Sequence, residues 1–200
     1  MVETRDISAG GVAAMPPSSL LAALSQAFTY PWNGLEETLA GLRALDSDEC
    51  GAYGEAVRGV LDTAGLFEDR TAEQLAYTRL FIGSFKMEAP PYASYYLEEG
   101  NTINGQAAVE VAAVYRQFGI ELDPKEKAPA DHLRYLLAFL SLLARRHEET
   151  GEGAFAEAYG DFCNDYVLSW IDAFKELVDK YAEAPYYPAL VSLIVDVLKP

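Results

Sequence analysis

HLRYLLAFLSLLARRH, residues 132–147, is the most apolar helical pattern in the chain. Its leucine and phenylalanine side chains recur nearly all the way round a helix, which is typical of a helix buried on every side. Asp131 directly before it is a predicted N-cap, and Arg145, Arg146 and His147 place positive charge at the negative end of the helix dipole. We expect this helix at the centre of the fold.

On both sides of this stretch, apolar residues recur three and four positions apart, and caps, glycines and prolines interrupt the pattern. Only residues 190–197 also fit the alternation of a strand, and they fit a helix as well. The sequence therefore predicts an all-α, single-domain helical bundle without a β-sheet. Besides the central helix, the predicted helices begin near residues 18 and 33 and cover residues 48–64, 71–83, 104–118, 154–164, 165–182 and 185–198.

The first residues differ from the rest of the chain. Residues 1–16 are rich in glycine and alanine and lack periodicity, and the prolines and serines of residues 16–19 combine a stop with a helix start. The connectors further along are too short to separate two domains, and no internal repeat is visible. We expect a flexible tail over residues 1–16 and one helical domain over residues 17–200.

The charge balance of the chain limits the classes of partner that it can bind. There are 15 Lys and Arg residues against 31 Asp and Glu, a net charge of −16. Such a field repels the phosphate backbone of nucleic acid and favours a basic peptide. No stretch approaches the roughly 18 apolar residues of a membrane helix, and the N-terminus lacks the apolar core of a secretory signal, so we expect a cytoplasmic protein without stable membrane insertion.

Local signatures of catalysis or cofactor binding are absent from the sequence. It contains no phosphate-binding GxxxxGK[ST] or GxGxxG loop, no HExxH and no GxSxG. Cys50 and Cys163 lie far apart, and His132 and His147 cannot form a metal site by themselves. We therefore expect no catalytic residues, no metal and no cofactor.

Asp131 and His132 together admit three interpretations. A carboxylate and an imidazole at a helix start are suited to capping, which we favour. Consecutive residues do not face each other on a helix, which argues against a catalytic pair. A part in binding a partner stays open.

There are also two interpretations of residues 77–96, YTRLFIGSFKMEAPPYASYY. Tyr77, Leu80 and Phe81 share a helix face, Gly83 ends the helix, and Pro90 and Pro91 cannot continue it. Ser94 is placed to start a short turn that gathers Tyr92, Tyr95 and Tyr96 around the loop. Taken locally, this is a chain break filled with packed aromatic side chains, with a half-wet ligand or peptide groove as the alternative.

Two segments together resemble the TorD/DmsD/NarJ family of redox-enzyme maturation chaperones. The first is Tyr77-x-x-Leu80-Phe81-x-Gly83 followed by Pro90-Pro91-Tyr92-x-Ser94-x-Tyr96, and the second is Pro129-x-Asp131-His132-Leu133 leading into Phe139-Leu140. They occur in the family's order in a chain of the family's length. Two positions depart from the family pattern: Tyr92 stands where Trp is common, and Leu136 where an acidic residue is common.

The resemblance implies a cytoplasmic, non-catalytic chaperone that binds the twin-arginine signal peptide of a molybdopterin-containing oxidoreductase before export. It implies a monomer or a domain-swapped dimer. The implied peptide-binding residues are Tyr77, Leu80, Phe81, Gly83, Pro90, Pro91, Tyr92, Ser94, Tyr96, Asp131 and His132. An apolar face would receive the apolar part of the peptide, and carboxylates such as Asp131 would pair with its arginines.

Two further hypotheses compete with this one. The first is an adaptor that binds the folded oxidoreductase subunit rather than its leader, on the same acidic surface. The second is an enzyme that uses Asp131 and His132, with Cys163 brought near by folding.

Overall fold

The computed structural model describes residues 15–29, 34–45, 50–67, 69–83, 86–123, 125 and 127–199. No strand occurs in this part of the chain, and the predicted all-α class is confirmed. In chain order the α-helices are Ser18–Gln26 (α1), Gly34–Ala44 (α2), Gly54–Ala64 (α3), Arg70–Tyr77 (α4), Ala93–Leu97 (α5), Gln106–Gln117 (α6), Leu133–Thr150 (α7), Gly153–Cys163 (α8), Ile171–Tyr181 (α9) and Tyr186–Leu198 (α10). A 3₁₀ turn, Gly51–Tyr53, precedes α3, and π-helical segments, Thr78–Ile82 and Asn164–Leu168, continue α4 and α8.

Helix α7 lies at the centre of the core, as its sequence predicts. Leu136, Leu137 and Leu140 are fully buried, and the helix packs mainly against α1 and α8. Burial on several sides explains why apolar residues are not confined to one stripe of this helix.

Polar bonds fix the register of α1 on α7. The Ser141 hydroxyl donates to the Ser18 carbonyl at 2.7 Å. Glu148 of α7 accepts from the Ser18 N–H at 2.8 Å and from its hydroxyl at 2.6 Å, so it satisfies the first turn of α1 from outside that helix.

Helix α10 contains residues 190–197, the stretch whose pattern also fits a strand. Leu190, Val191, Ile194 and Val197 are buried, with the spacing of a helix face. The helix packs on α3 and α9. Together with α1 and α7 these helices contribute to one hydrophobic core.

Helix ends differ from the sequence prediction at several places. The helix predicted to begin at residue 71 is capped by Asp69, whose carboxylate accepts from the Ala72 N–H at 2.9 Å. The predicted break between residues 164 and 165 is a π-helical segment, and α9 begins only after the buried Trp170. Residue 33, near which the second helix is predicted to begin, and most of the predicted tail lie outside the described residues. Among the described helices, none is long and apolar enough to cross a bilayer.

Candidate functional site

The two signature segments meet at a short antiparallel contact, the junction, formed by residues 91–94 and 131–133. Tyr92 and His132 pair as an isolated β-bridge. On either side of it, the Leu133 N–H donates to the Pro91 carbonyl at 2.8 Å, and the Ala93 N–H donates to the Asp131 carbonyl at 3.1 Å. These bonds tie the start of α5 to the start of α7.

The buried side chain of Asp131 stabilises the junction. Its side chain is fully buried, and Oδ2 accepts from the Ser94 N–H at 2.7 Å. Asp131 therefore caps α5, the helix across the junction. Its Oδ1 and the Ser94 hydroxyl form no hydrogen bond with any described residue. A carboxylate without exposed surface is not placed to meet an arginine of a peptide, and its role here is to hold Ser94 in position.

His132, rather than Asp131, caps α7. The prediction that Asp131 caps its own helix is wrong, because the imidazole Nδ1 of His132 accepts from the Arg134 N–H at 3.1 Å. Burial, aided by the Arg134 charge, lowers the pKa of His132 to about 3. The ring is therefore neutral at pH 7, and since Nδ1 accepts, the proton lies on Nε2, which is left as a donor.

The residues that precede Gly83 also contribute to the site. The Tyr77 hydroxyl donates to the Phe28 carbonyl at 3.1 Å, and the Phe81 ring packs edge-on against Tyr187 at 5.1 Å. Gly83 ends the π-helical segment at φ 65°, and a Cβ there would lie 2.2 Å from the Lys86 carbonyl oxygen. Only glycine fits this turn, which returns the chain toward the prolines.

A cavity of about 550 Å³ lies between these segments. This volume suits a drug-sized ligand or a few residues of a peptide. Four of the predicted site residues line it: Tyr77, Phe81, Tyr92 and His132.

The other predicted site residues do not line the cavity. Most of them are buried elsewhere in the fold, namely Leu80, Pro90, Pro91, Ser94 and Asp131. Gly83 shapes the turn, and the Tyr96 ring stacks on Trp170 at 5.1 Å with 17° between the planes. These residues do not touch the cavity, whereas Tyr77, Phe81, Tyr92 and His132 lie on its lining.

Sequence reasoning missed the remaining lining residues. Arg134 and Tyr135 follow the second signature directly, while Lys125 and Lys127 lie in a connector whose polar composition gave no signal for a site. Among the described lining residues there are three cations and no carboxylate, the reverse of the chain as a whole. The full set missed is Phe28, Ile82, Lys125, Lys127, Ala128, Arg134 and Tyr135.

An apolar groove of about 280 Å³ adjoins the cavity, since Tyr135 lines both. The connector before α7 also contributes to both, with Ile120 and Leu122 in the groove. Phe139 and Leu142 of α7 also line it. The start of α7 thus separates a cationic, aromatic cavity from an almost purely apolar groove.

The cavity offers little for acid–base or nucleophilic chemistry. His132 adjoins it but is a weak base with one nitrogen already engaged. Cys163 does not line it, and burial raises the pKa of that thiol to about 12, so the thiolate is scarce at pH 7. Within the described part of the chain, no group of His, Cys, Asp and Glu side chains is placed to hold a metal ion. The arrangement is suited to binding.

Comparisons with known proteins agree with the signatures. The family model described as nitrate reductase delta subunit matches residues 21–176. A chaperone protein TorD from Vibrio parahaemolyticus serotype O3:K6 is 31% identical over 175 residues, which cover 84% of this chain and 79% of that protein. A chaperone protein TorD from Photobacterium profundum is 32% identical over 146 residues, covering 70% and 68%.

The fold also matches a solved structure. A crystal structure from Archaeoglobus fulgidus, assigned as a redox enzyme maturation protein, superposes with a TM-score of 0.63 over 98% of this chain and 100% of that one. At 24% sequence identity this likeness concerns the fold alone.

Proposed function

Since the chain belongs to the nitrate reductase delta subunit family, the TorD/DmsD/NarJ family indicated by its two signatures, we propose that it is a cytoplasmic chaperone that binds the twin-arginine signal peptide of a molybdopterin-containing oxidoreductase. It assists maturation of that enzyme before export. The similarity to curated TorD chaperones along most of the chain supports the chaperone role.

The observation that carries the peptide-binding proposal is the joining of the two signatures around one aromatic cavity. Tyr92 and His132 pair across the junction, and both line the cavity together with Tyr77 and Phe81. Tyrosine and phenylalanine walls present an apolar body with a few polar tips, which suits the apolar part of a leader peptide.

The chain's charge supports encounter with a basic leader. A net charge of −16 attracts the arginines over distances of about a Debye length, roughly 8–10 Å at ordinary ionic strength. Association is therefore expected to slow as salt is added. The acting unit in this proposal is a single domain over residues 17–200, as a monomer or a domain-swapped dimer.

Calorimetry with a synthetic twin-arginine leader peptide tests the proposal. Tyr92→Ala removes a cavity wall, and we expect it to weaken binding about tenfold, as for an aromatic anchor in an interface. Tyr181→Ala is the matched control, because Tyr181 is also partly buried but does not line the cavity. Equal effects of the two substitutions, or no binding by the unmodified chain, would contradict the assignment of the cavity.

The apolar groove favours a second candidate function, an adaptor for the folded oxidoreductase subunit. Its lining, with Ile120, Phe139 and Leu142, exposes almost no polar surface, as expected of a surface that meets another protein. Co-expression with a client that lacks its leader separates the two functions. Recovery of the complex without the leader supports the adaptor, and its loss supports leader binding.

A further inference from the structure

Two lysines at the cavity stand out in an acidic chain. Lys125 and Lys127 both line the cavity and are exposed. Neither ammonium group forms an ion pair or hydrogen bond with any described residue, although the chain holds 31 carboxylate side chains. The two lysines thus place positive charge at the cavity that no described carboxylate neutralises by direct contact.

His132 adds a hydrogen-bond donor to the cavity lining. His132 is only 7% exposed and lines the cavity, and with Nδ1 engaged by the Arg134 N–H its Nε2 carries the proton. No described residue accepts a hydrogen bond from Nε2. His132 also lies at the positive end of α7, so the lysines, the imidazole N–H and the helix dipole all favour an acceptor or an anion.

The backbone around the cavity argues against a phosphate as that anion. Phosphate sites at helix starts use free backbone N–H groups. In the first turn of α7 these are occupied: the Leu133 N–H donates to Pro91, and the N–H groups of Arg134 and Tyr135 donate to His132 Nδ1 and to the His132 carbonyl. The cavity therefore offers side-chain cations and an imidazole N–H, without the free helix-start amides of such phosphate sites.

We infer that the cavity takes a segment of the client peptide in which an apolar or aromatic side chain adjoins a carboxylate, with Lys125 and Lys127 holding the carboxylate and keeping arginine out. The inference rests on the proposed function and goes beyond it, because it fixes which part of the client enters. The arginines then stay outside the cavity.

The test uses two fluorescein-labelled synthetic peptides. Each carries two adjacent arginines followed by an apolar stretch of about ten residues. They differ at one position after that stretch, which is Glu in one peptide and Gln in the other. We expect anisotropy titrations to show about fivefold tighter binding of the Glu peptide, as for one or two partly exposed ion pairs.

Paired variants assign that preference to the lysines. Lys125→Gln with Lys127→Gln is expected to abolish the difference between the peptides. Arg58→Gln with Lys180→Gln removes the same charge from exposed positions that do not line the cavity, and should preserve it.

The outcomes separate this inference from the proposed function. Equal affinity of the unmodified chain for the two peptides overturns the inference and leaves leader binding intact. Failure of both peptides to bind overturns both. Displacement of the Glu peptide by ATP, abolished in the double lysine variant, would assign the site to a phosphate and overturn the carboxylate assignment.

Discussion

The packing of α7 on α1 and the junction between residues 91–94 and 131–133 are both buried, but they are stabilised differently. Along α7, leucines such as Leu136 and Leu140 are removed from water by neighbours on several sides. At the junction a few polar groups bond across a long sequence separation, among them the Asp131 carboxylate with the Ser94 N–H. In the α7 packing, truncation of a side chain should lower the free energy of unfolding in proportion to the volume removed. At the junction, loss of one hydrogen-bonding partner should lower stability and also change the geometry of the contact.

The largest expected loss of stability follows from a substitution in α7. Leu140→Ala leaves a cavity in the core, and we expect a loss of about 3 kcal/mol in the free energy of unfolding. Urea unfolding followed by circular dichroism measures it. Leu75→Ala is the control, since Leu75 is 67% exposed and its truncation should have little effect. Leader binding by the folded fraction of Leu140→Ala should be unchanged.

Asp131→Ala should have the next largest effect, and of a different kind. Removing the carboxylate leaves the Ser94 N–H buried without its partner, so we expect a loss of about 2 kcal/mol in unfolding free energy. Because the start of α5 then loses its cap, leader affinity should fall as well, even under conditions where the chain is fully folded.

Asp161→Ala is the control for that variant. Asp161 is exposed on α8, and Ala favours the helix, so its stability and binding should match the unmodified chain. If Asp131→Ala lowers stability but leaves leader affinity intact, the junction does not position the site.

Glu73→Gln should have the smallest effect, and it should be stabilising. Glu73 is 3% exposed and accepts from the Tyr187 hydroxyl at 2.6 Å, and burial raises the pKa of its carboxyl above the usual 4.5. A raised pKa favours folding below the unfolded pKa, and this contribution is lost as pH rises through the folded pKa. Gln keeps an acceptor for Tyr187 without the charge, so we expect a gain of about 0.5–1 kcal/mol at pH 7.

The pH dependence distinguishes this cause from a change in packing. The gain from Glu73→Gln should shrink as pH falls toward 4.5, since both side chains are then neutral. Glu176→Gln, at an exposed position of α9, should show no gain at either pH. A gain that is independent of pH would mean that the buried charge is not its source.

The contrast between the packing of α7 and the junction also explains which features the sequence predicts well. The central position of α7 follows from its own residues, because the periodicity of Leu136, Leu137 and Leu140 is a local signal. The prediction that the two signatures form one site rested on the family resemblance. Local sequence patterns alone favoured simple packing for the residues around Tyr92.

Two features depended on tertiary contacts and were not predictable. Asp is a preferred capping residue, but Asp131 caps α5, which only the tertiary fold brings next to it. His132 is the residue that caps α7. Lys125 and Lys127 lie in a connector with the composition of an ordinary solvated segment, and only the tertiary fold places them at the cavity beside aromatic side chains.

The junction has a consequence for the motion of the chain. Its donors, the amides of Ala93, Ser94 and Leu133, belong to segments separated by the whole of α6 and the connector, yet each bonds across the same contact. Opening the contact would release all three at once. We expect their hydrogen exchange with solvent to be slow and to follow a common opening free energy, so that these segments fluctuate as one cooperative unit.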